Sequence, residues 1–237
     1  MTTPPENAPS KNSKNTVREA FTVAHRRHLD RLAQLPVWVD EQGMLIGDQR
    51  VMFAAEAPLM RRHAESLVAA DTPRGRAADV LEIGLGMGVF ASQLPRFVGT
   101  YTTVEAVPEV VAHTGPLLAG LLGARVRYRV IGAPWQLAEL PDSAYDAIMY
   151  DTWPPEGYAD DDFAVFAEHV AARCLRPGGR WSFFWSGSRL SSQRRSVLDR
   201  WFPGWHADSY TMPPELVPRD WTKPTTAFLV PVATRST

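Results

Sequence analysis

Three groups of residues in this 237-residue chain have types and spacing suited to chemistry. The run Val80-Leu81-Glu82-Ile83 reads as a buried strand, and it passes into Gly84, Leu85, Gly86, Met87 and Gly88 before a helix begins. Glycine lets the backbone turn tightly and lets a ligand touch the main chain, while a helix N-terminus offers free amides. Several kinds of nucleotide cofactor use such a turn. A dinucleotide fingerprint would need glycine where Val89 stands. Glu82 precedes the first glycine, where its carboxylate is expected to face a cationic ligand group rather than a pyrophosphate. The next strand ends in Glu105, and an acid there can accept both hydroxyls of a ribose. A later strand delivers Tyr150-Asp151-Thr152-Trp153-Pro154. In an open parallel sheet, ligands sit beyond the carboxyl ends of the central strands. A carboxylate at Asp151 can hold a cation and accept its proton, or it can cap a turn before Pro154.

Other candidates carry less. His25 and His28 share a helix face, but Arg26 and Arg27 between them repel a cation, so no metal site is expected. Cys174 reads as a small buried residue. Ser186-Gly187-Ser188 does not form a nucleophile elbow. Asp160-Asp161-Asp162 reads as the capped start of a helix, and Arg194, Arg195 and Arg200 as a solvated helix face. Trp135 and Trp153 each follow a strand end on the expected ligand side, where an aromatic wall can stack on adenine or on a cation.

These residues must be positioned by an α/β framework. Residues 1–16 are polar and aperiodic and are expected to form a disordered tail. Apolar positions return at helical spacing over Val17–Leu35, and a second helix is predicted over Arg50–Ala70. Strands are predicted at Ala78–Ile83, Tyr101–Glu105, Val126–Ile131, Tyr145–Tyr150 and Trp181–Trp185, alternating with helices. Two alternating segments, His206–Met212 and Thr225–Val232, close the chain. Repeated strand–helix units imply a doubly wound, Rossmann-like parallel sheet, with the last pair completing one edge. Residues 17–237 are read as one domain, with 17–70 as an N-terminal helical lid and 77–237 as the sheet core. The lid is expected to order when ligands bind.

Composition narrows the setting. An apolar fraction of 45% with 22% charged residues suits a soluble globular protein. A net charge of -1 argues against a nucleic-acid partner. The single cysteine suits a reducing cytoplasm, the first residues lack the apolar core of a signal peptide, and no run approaches the roughly 18 apolar residues that span a membrane. Lys11, Lys14 and Lys223 are the only lysines beside 22 arginines, a bias that fits a GC-rich bacterial genome. A monomer or homodimer is expected.

The pattern E-x-G-x-G-x-G from Glu82 to Gly88 resembles motif I of the S-adenosylmethionine-dependent methyltransferases. A narrower resemblance rests on four strings: Tyr150-Asp151-Thr152-Trp153-Pro154, Val51-Met52-Phe53-Ala54-Ala55-Glu56-Ala57-Pro58-Leu59-Met60, Val80 to Gly88, and Leu175 to Gly179. These resemble the guanidinoacetate N-methyltransferase family, from about Met44 to Thr234. The resemblance implies the seven-stranded sheet of class I methyltransferases and S-adenosyl-L-methionine as cofactor. It implies cofactor contacts from Met60, Glu82, Gly84, Gly86, Met87, Gly88, Glu105, Ala133 and Trp135. Glu56 and Asp151 would clasp the acceptor's guanidinium, with Thr152, Trp153, Ser186, Gly187 and Ser188 completing the acceptor site.

A guanidinium is a poor nucleophile because its pKa exceeds about 12. Two carboxylates can bind it in fork geometry and take its proton as the methyl transfers. Leu59 and the loop Trp185-Ser186-Gly187-Ser188-Arg189 depart from the family pattern, so the acceptor's far end is expected to differ from a bare acetate. An arginine-derived small molecule, such as an antibiotic precursor, is expected ahead of guanidinoacetate. Alternatives are an arginine delta-N-methyltransferase acting on protein, a spermidine synthase-like aminopropyl transferase, and a cofactor-binding module without catalysis.

Overall fold

A computed structural model describes residues 12–68, 77–95 and 97–236. In chain order its strands begin with β1 (Val37–Val39), β2 (Gly43–Ile46) and β3 (Gln49–Phe53), which form a small antiparallel sheet. There follow β4 (Ala78–Ile83), β5 (Val98–Glu105), β6 (Arg127–Gly132), β7 (Tyr145–Tyr150) and β8 (Leu175–Phe183). The chain ends with β9 (Trp185–Ser186), β10 (His206–Thr211) and β11 (Ala227–Thr234).

The large sheet runs β6-β5-β4-β7-β8-β11-β10, with the short β9 pairing β11. Strands β4 to β8 are mutually parallel, and β11 is antiparallel to β8, β9 and β10. This matches the doubly wound expectation. The chain builds outward from β4 through β5 to β6, then returns to lay β7 on the other side of β4. That reversal opens a crevice beyond the carboxyl ends of β4 and β7, where such sheets bind ligands.

The central strands are covered on both faces, so they read as nearly continuous apolar runs. Val80, Leu81, Ile83, Ala147, Ile148 and Met149 are all buried. One face packs Phe163 against Trp181 and Phe183 at ring separations of 5.4 and 4.6 Å, with Phe166 5.8 Å from Trp181. Truncating such a ring to alanine typically costs about 3–5 kcal/mol. Cys174 lies in this core, and burial pushes its thiol up to about 11.

The segment before β4 differs from the purely helical lid that was expected. Helix α1 (Ser13–Glu19) begins inside the stretch expected to be a disordered tail, anchored by buried Val17 in the main core. Residues 1–11 of that tail lie outside the described residues. The run expected as one helix over Val17–Leu35 breaks at Phe21-Thr22, and α2 spans Val23–Leu32. The helix expected over Arg50–Ala70 begins only at Ala57, as α3 (Ala57–Leu67). Proline is tolerated only in a helix's first turn, and Pro58 sits there. The residues before it, Gln49–Phe53, pair as β3 with β2 instead. Positions 69–76, including the expected helix end at Ala70, lie outside the described residues.

The small sheet is tied to the loop between β10 and β11. Arg50 donates to Asp40 Oδ1 and Oδ2, both at 2.8 Å, and to Asp220 Oδ2 at 2.8 Å. Trp221 packs on Phe53 at a centroid distance of 4.6 Å. Two segments distant in sequence therefore cover the crevice together. Among the described residues no helix is long and apolar enough to cross a membrane.

Candidate active site

The glycine turn after β4 is shaped by the strand beside it. Gly84 has φ +90°, and a Cβ there would lie 1.8 Å from the Asp151 carbonyl oxygen, so only glycine fits. The Asp151 amide donates to the Ile83 carbonyl at 2.9 Å. The loop and the end of β7 thus run in contact.

Glu105, at the end of β5, ties the loop from the other side. Its Oε2 accepts from the amides of Leu85 at 2.9 Å and Gly86 at 3.4 Å, and its Oε1 accepts from Val107 at 2.9 Å. Burial raises its pKa, while these amides pull it back down. A carboxylate has about four lone-pair sites, and backbone amides already claim most of those of Glu105. It therefore holds the loop more than it offers an open fork for both ribose hydroxyls.

Asp151 and Glu56 meet on the other side of the crevice. Glu56 ends a short turn (Ala54–Glu56) before α3 and is only 2% exposed. Its Oε2 accepts from the Phe53 amide at 3.0 Å, and its Oε1 lies 2.9 Å from Lys223 Nζ. Lys223 comes from the loop between β10 and β11, and its ammonium sits 4.2 Å over the Phe184 ring. Burial pushes the Asp151 carboxyl up, Lys223 pulls it down, and Glu56 and Glu105 add to the rise, giving about 7. A base poised near neutrality is what proton abstraction at physiological pH requires.

These groups line one cavity of about 420 Å³, together with Gly84, Trp135 and Trp153. That is the size of a small-ligand site. A left-handed glycine turn, an acid at the end of β5 and a half-buried carboxylate at the end of β7 suit a nucleoside carrying a cationic centre. Residue types and placement therefore fit S-adenosylmethionine.

A sequence profile of guanidinoacetate N-methyltransferase matches residues 38–193, more than half of the chain. The chain belongs to the guanidinoacetate N-methyltransferase family. No curated protein matches it in a sequence search. Among solved structures it is similar to magnesium protoporphyrin IX methyltransferase of Synechocystis PCC 6803 with bound SAM. There the TM-score is 0.54 at 13% identity, covering 97% of this chain and 100% of that one. It is similar to spermidine synthase of Thermotoga maritima, with a TM-score of 0.57 at 13% identity, over 82% of this chain and 65% of that one. The tRNA (m1A58) methyltransferase of Aquifex aeolicus gives 0.51 at 18% identity, over 88% and 76%. At such identities the likeness establishes the class I methyltransferase fold.

Of the family-type residues expected at the site, Glu56, Gly84, Gly86, Glu105, Ala133, Trp135, Asp151, Thr152 and Trp153 line the cavity. The others lie elsewhere. Glu82, expected to face a cationic group, is turned away, because neighbouring strand residues point to opposite faces and Ile83 takes the cavity side. It accepts the Tyr101 hydroxyl in the core, where burial holds its pKa well above the usual range. Met60 is buried on α3 among Ala64 and Leu67. Met87 packs behind the cavity lining, its amide donating to Met52 Sδ at 3.4 Å, and Gly88 opens the short helix Val89–Ser92. Ser186 and Gly187 are taken by the sheet, Ser186 opposite Phe228 and the Gly187 amide donating to Ala227 at 2.8 Å. Ser188 follows in the same loop, outside the cavity lining.

Several lining residues were not anticipated. Lys223 is the plainest, and its rarity in an arginine-rich chain was the available signal. His25 and His28 also line the cavity. Their role is to dock α2 onto the elements after β7. His25 Nε2 lies 2.8 Å from Asp162 Oδ1, both buried, and His28 Nε2 lies 3.0 Å from the Trp153 carbonyl oxygen. Asp162 lies in the first turn of the helix Ala159–Phe166 and is also a buried partner of His25. Arg194, expected in solvent, is buried with its guanidinium 4.6 Å over Phe163 and 4.7 Å over Trp185, donating to Asp160 at 2.7 Å. Among the described residues no cluster of three or more His, Cys, Asp or Glu is placed to hold a metal.

Proposed function

We propose that this chain is an S-adenosylmethionine-dependent N-methyltransferase that acts on the guanidino group of an arginine-derived small molecule in the cytoplasm. The observation that carries this reading is Asp151: a half-buried carboxyl pushed up to about 7, chiefly by desolvation, beside the buried Glu56 at the ligand end of the sheet. S-adenosylmethionine supplies an electrophilic methyl group on a sulfonium and needs no activation by the protein. Gly84, Gly86 and Glu105 hold the cofactor at the loop after β4. Asp151 binds the acceptor's guanidinium and takes the proton that its nitrogen sheds as the new N–C bond forms. Glu56 supplies the second countercharge. Alignment of the two reactants accounts for much of the remaining rate.

The covering segments, α2 with β1–β3 and the loop before β11, close over this cavity as a lid and exclude water during transfer. No extra groove for a polypeptide or a nucleic acid enters the reading, which takes the protein as a monomer or homodimer.

Initial rates of S-adenosylhomocysteine release test it across acceptor classes: small guanidines, arginine peptides and polyamines. Small guanidines are expected to give the highest kcat/KM. A higher value with arginine peptides would replace the substrate class. Aminopropyl transfer from the decarboxylated cofactor to a polyamine would overturn the reaction.

A further inference from the structure

Three carboxylates stand along the wall of the cavity: Glu56, Glu105 and Asp151. Most of the basic side chains on that wall are engaged elsewhere. Arg50 is held by Asp40 and Asp220, His25 lies against Asp162, and His28 against the Trp153 carbonyl. Lys223 is the one that turns its charge to the three acids, with Nζ 2.9 Å from Glu56 Oε1. We propose that Lys223 is a resident countercation: in the acceptor-free enzyme its ammonium stands in for the guanidinium beside Glu56 and Asp151, and it withdraws when the guanidinium arrives. This rests on the guanidine-methylating reading and adds to it the residue that keeps the base ready between turnovers.

Without a countercation, Glu56 and Asp151 would repel each other in a covered site. Glu56 is 2% exposed, and its other oxygen accepts the Phe53 amide at 3.0 Å. Leaving such a charge unpaired is costly. Two carboxylates that share a site retain a proton between them, and a protonated Asp151 cannot take one from the acceptor. The charges facing Asp151 are Lys223 from the loop before β11, Glu56 from the turn before α3 and Glu105 from the end of β5. Burial and both glutamates favour the neutral carboxyl, and Lys223 favours the charged one. Glu82 on β4 and Tyr150 on β7 also feel the Asp151 charge, both from buried positions. The ammonium can also leave. It rides on a flexible stem 4.2 Å over the Phe184 ring, and its side chain is 19% exposed, so the charge has a way to water. An arginine here would form a rigid fork with Glu56 and hold it. In a chain with 22 arginines and three lysines, a lysine stands where the cation must let go.

Initial rates of the full chain and of Lys223→Met, at saturating S-adenosylmethionine and from about pH 6 to 9, test this. Guanidinoacetate and propylguanidine are both assayed, and the faster serves as acceptor. The pH profile of kcat/KM reports the base in the enzyme without acceptor, and that of kcat reports it in the loaded complex. Lys223→Met is expected to move the rising limb of kcat/KM up by about one pH unit, the low end of what a neighbouring cation does to a carboxyl. That is a loss of about tenfold below the limb. The kcat limb should stay at the parental position, because the guanidinium has by then replaced the ammonium. A lysine with a merely structural role would move neither. Two limbs that move together, or a kcat/KM limb that stays or falls, overturn the inference and leave the guanidine reading standing. Turnover of neither guanidine by the parent overturns the reading and the inference together. A second measurement needs no variant. Lys11, Lys14 and Lys223 are the only lysines, so labelling lysine Cε with carbon-13 gives three signals by nuclear magnetic resonance. The Phe184 ring sets the Lys223 signal apart. In the S-adenosylhomocysteine complex, adding the guanidine should move it toward that of Lys14, whose side chain is 65% exposed. The urea analogue, with the same shape and no cation, should leave it in place. A signal that ignores the guanidine, or that follows the urea as well, overturns the inference even where Lys223→Met fails to fold.

Discussion

Replacing Asp151 by asparagine should slow the enzyme and stabilise the fold above pH 7. The carboxyl rises from an ordinary 3.8 to about 7 in the folded chain, chiefly through burial. Between those values the folded protein holds a proton that the unfolded chain has lost, so stability falls as pH rises from about 4 to 7 and is flat beyond. A rise of that size corresponds to about 4 kcal/mol at pH 8 as an upper bound. Asparagine carries no charge at any pH and escapes that cost. Asp151→Asn and the parent should therefore melt together near pH 4, and the variant should melt several degrees higher at pH 8, since about 1 kcal/mol moves the midpoint of a domain this size by roughly 2–4 °C. Turnover should fall by about 10²–10⁴-fold, the usual worth of a positioned base. The parent's kcat/KM should rise with pH toward 7 and then level, as the base ionises. Scanning calorimetry from pH 4 to 8, with initial rates on the same samples, checks both halves. A variant less stable than the parent at pH 8, or one that methylates at the parental rate, would refute the reasoning.

Three further outcomes follow from the geometry. Glu105→Ala removes the acceptor for the Leu85, Gly86 and Val107 amides as well as the ribose partner, so S-adenosylhomocysteine affinity by titration calorimetry should fall by about 1.5–3 kcal/mol; an unchanged affinity places the ribose elsewhere. His25→Ala removes one of two side-chain hydrogen-bond partners of the buried Asp162, the other being Gln136, and should cost about 1–3 kcal/mol in urea unfolding at pH 7; an unchanged unfolding free energy would make the contact incidental to stability. Amide exchange over α2 and β1–β3 should slow when S-adenosylhomocysteine and a guanidine bind together, and indifference to both would remove the lid.

What could be seen in advance divides by the range of the contact. β4 and β7 show themselves as short apolar runs closed by glycine or acid, because strands buried on both faces need that composition locally. The glycine turn and Asp151 are legible for the same reason: strand, turn and carboxylate are adjacent in sequence. β3 was hidden because Val51-Met52-Phe53 runs into Ala54-Ala55-Glu56 without a break, and only Pro58 marks where the helix can start. Glu82 was misplaced because its spacing from the glycines says nothing of which strand face it takes. Ser186 and Gly187 look like a free loop until β11, some 40 residues on, pairs with them. The His25–Asp162 pair spans 137 residues and the Lys223–Glu56 pair joins a proline-rich loop to a turn before α3. No local period encodes either. The cation at the centre of the site is therefore the feature that only the tertiary structure reveals.

Where the methyl group goes is the most direct test of guanidino methylation. The full chain, given S-adenosylmethionine carrying a carbon-13 methyl and a small guanidine as sole acceptor, should yield one product resonance by nuclear magnetic resonance, that of a methyl on a guanidino nitrogen. S-adenosylhomocysteine should accumulate in equal amount. Label appearing on a carboxylate, a sulfur or an aliphatic amine instead, with the guanidine untouched, would contradict the account.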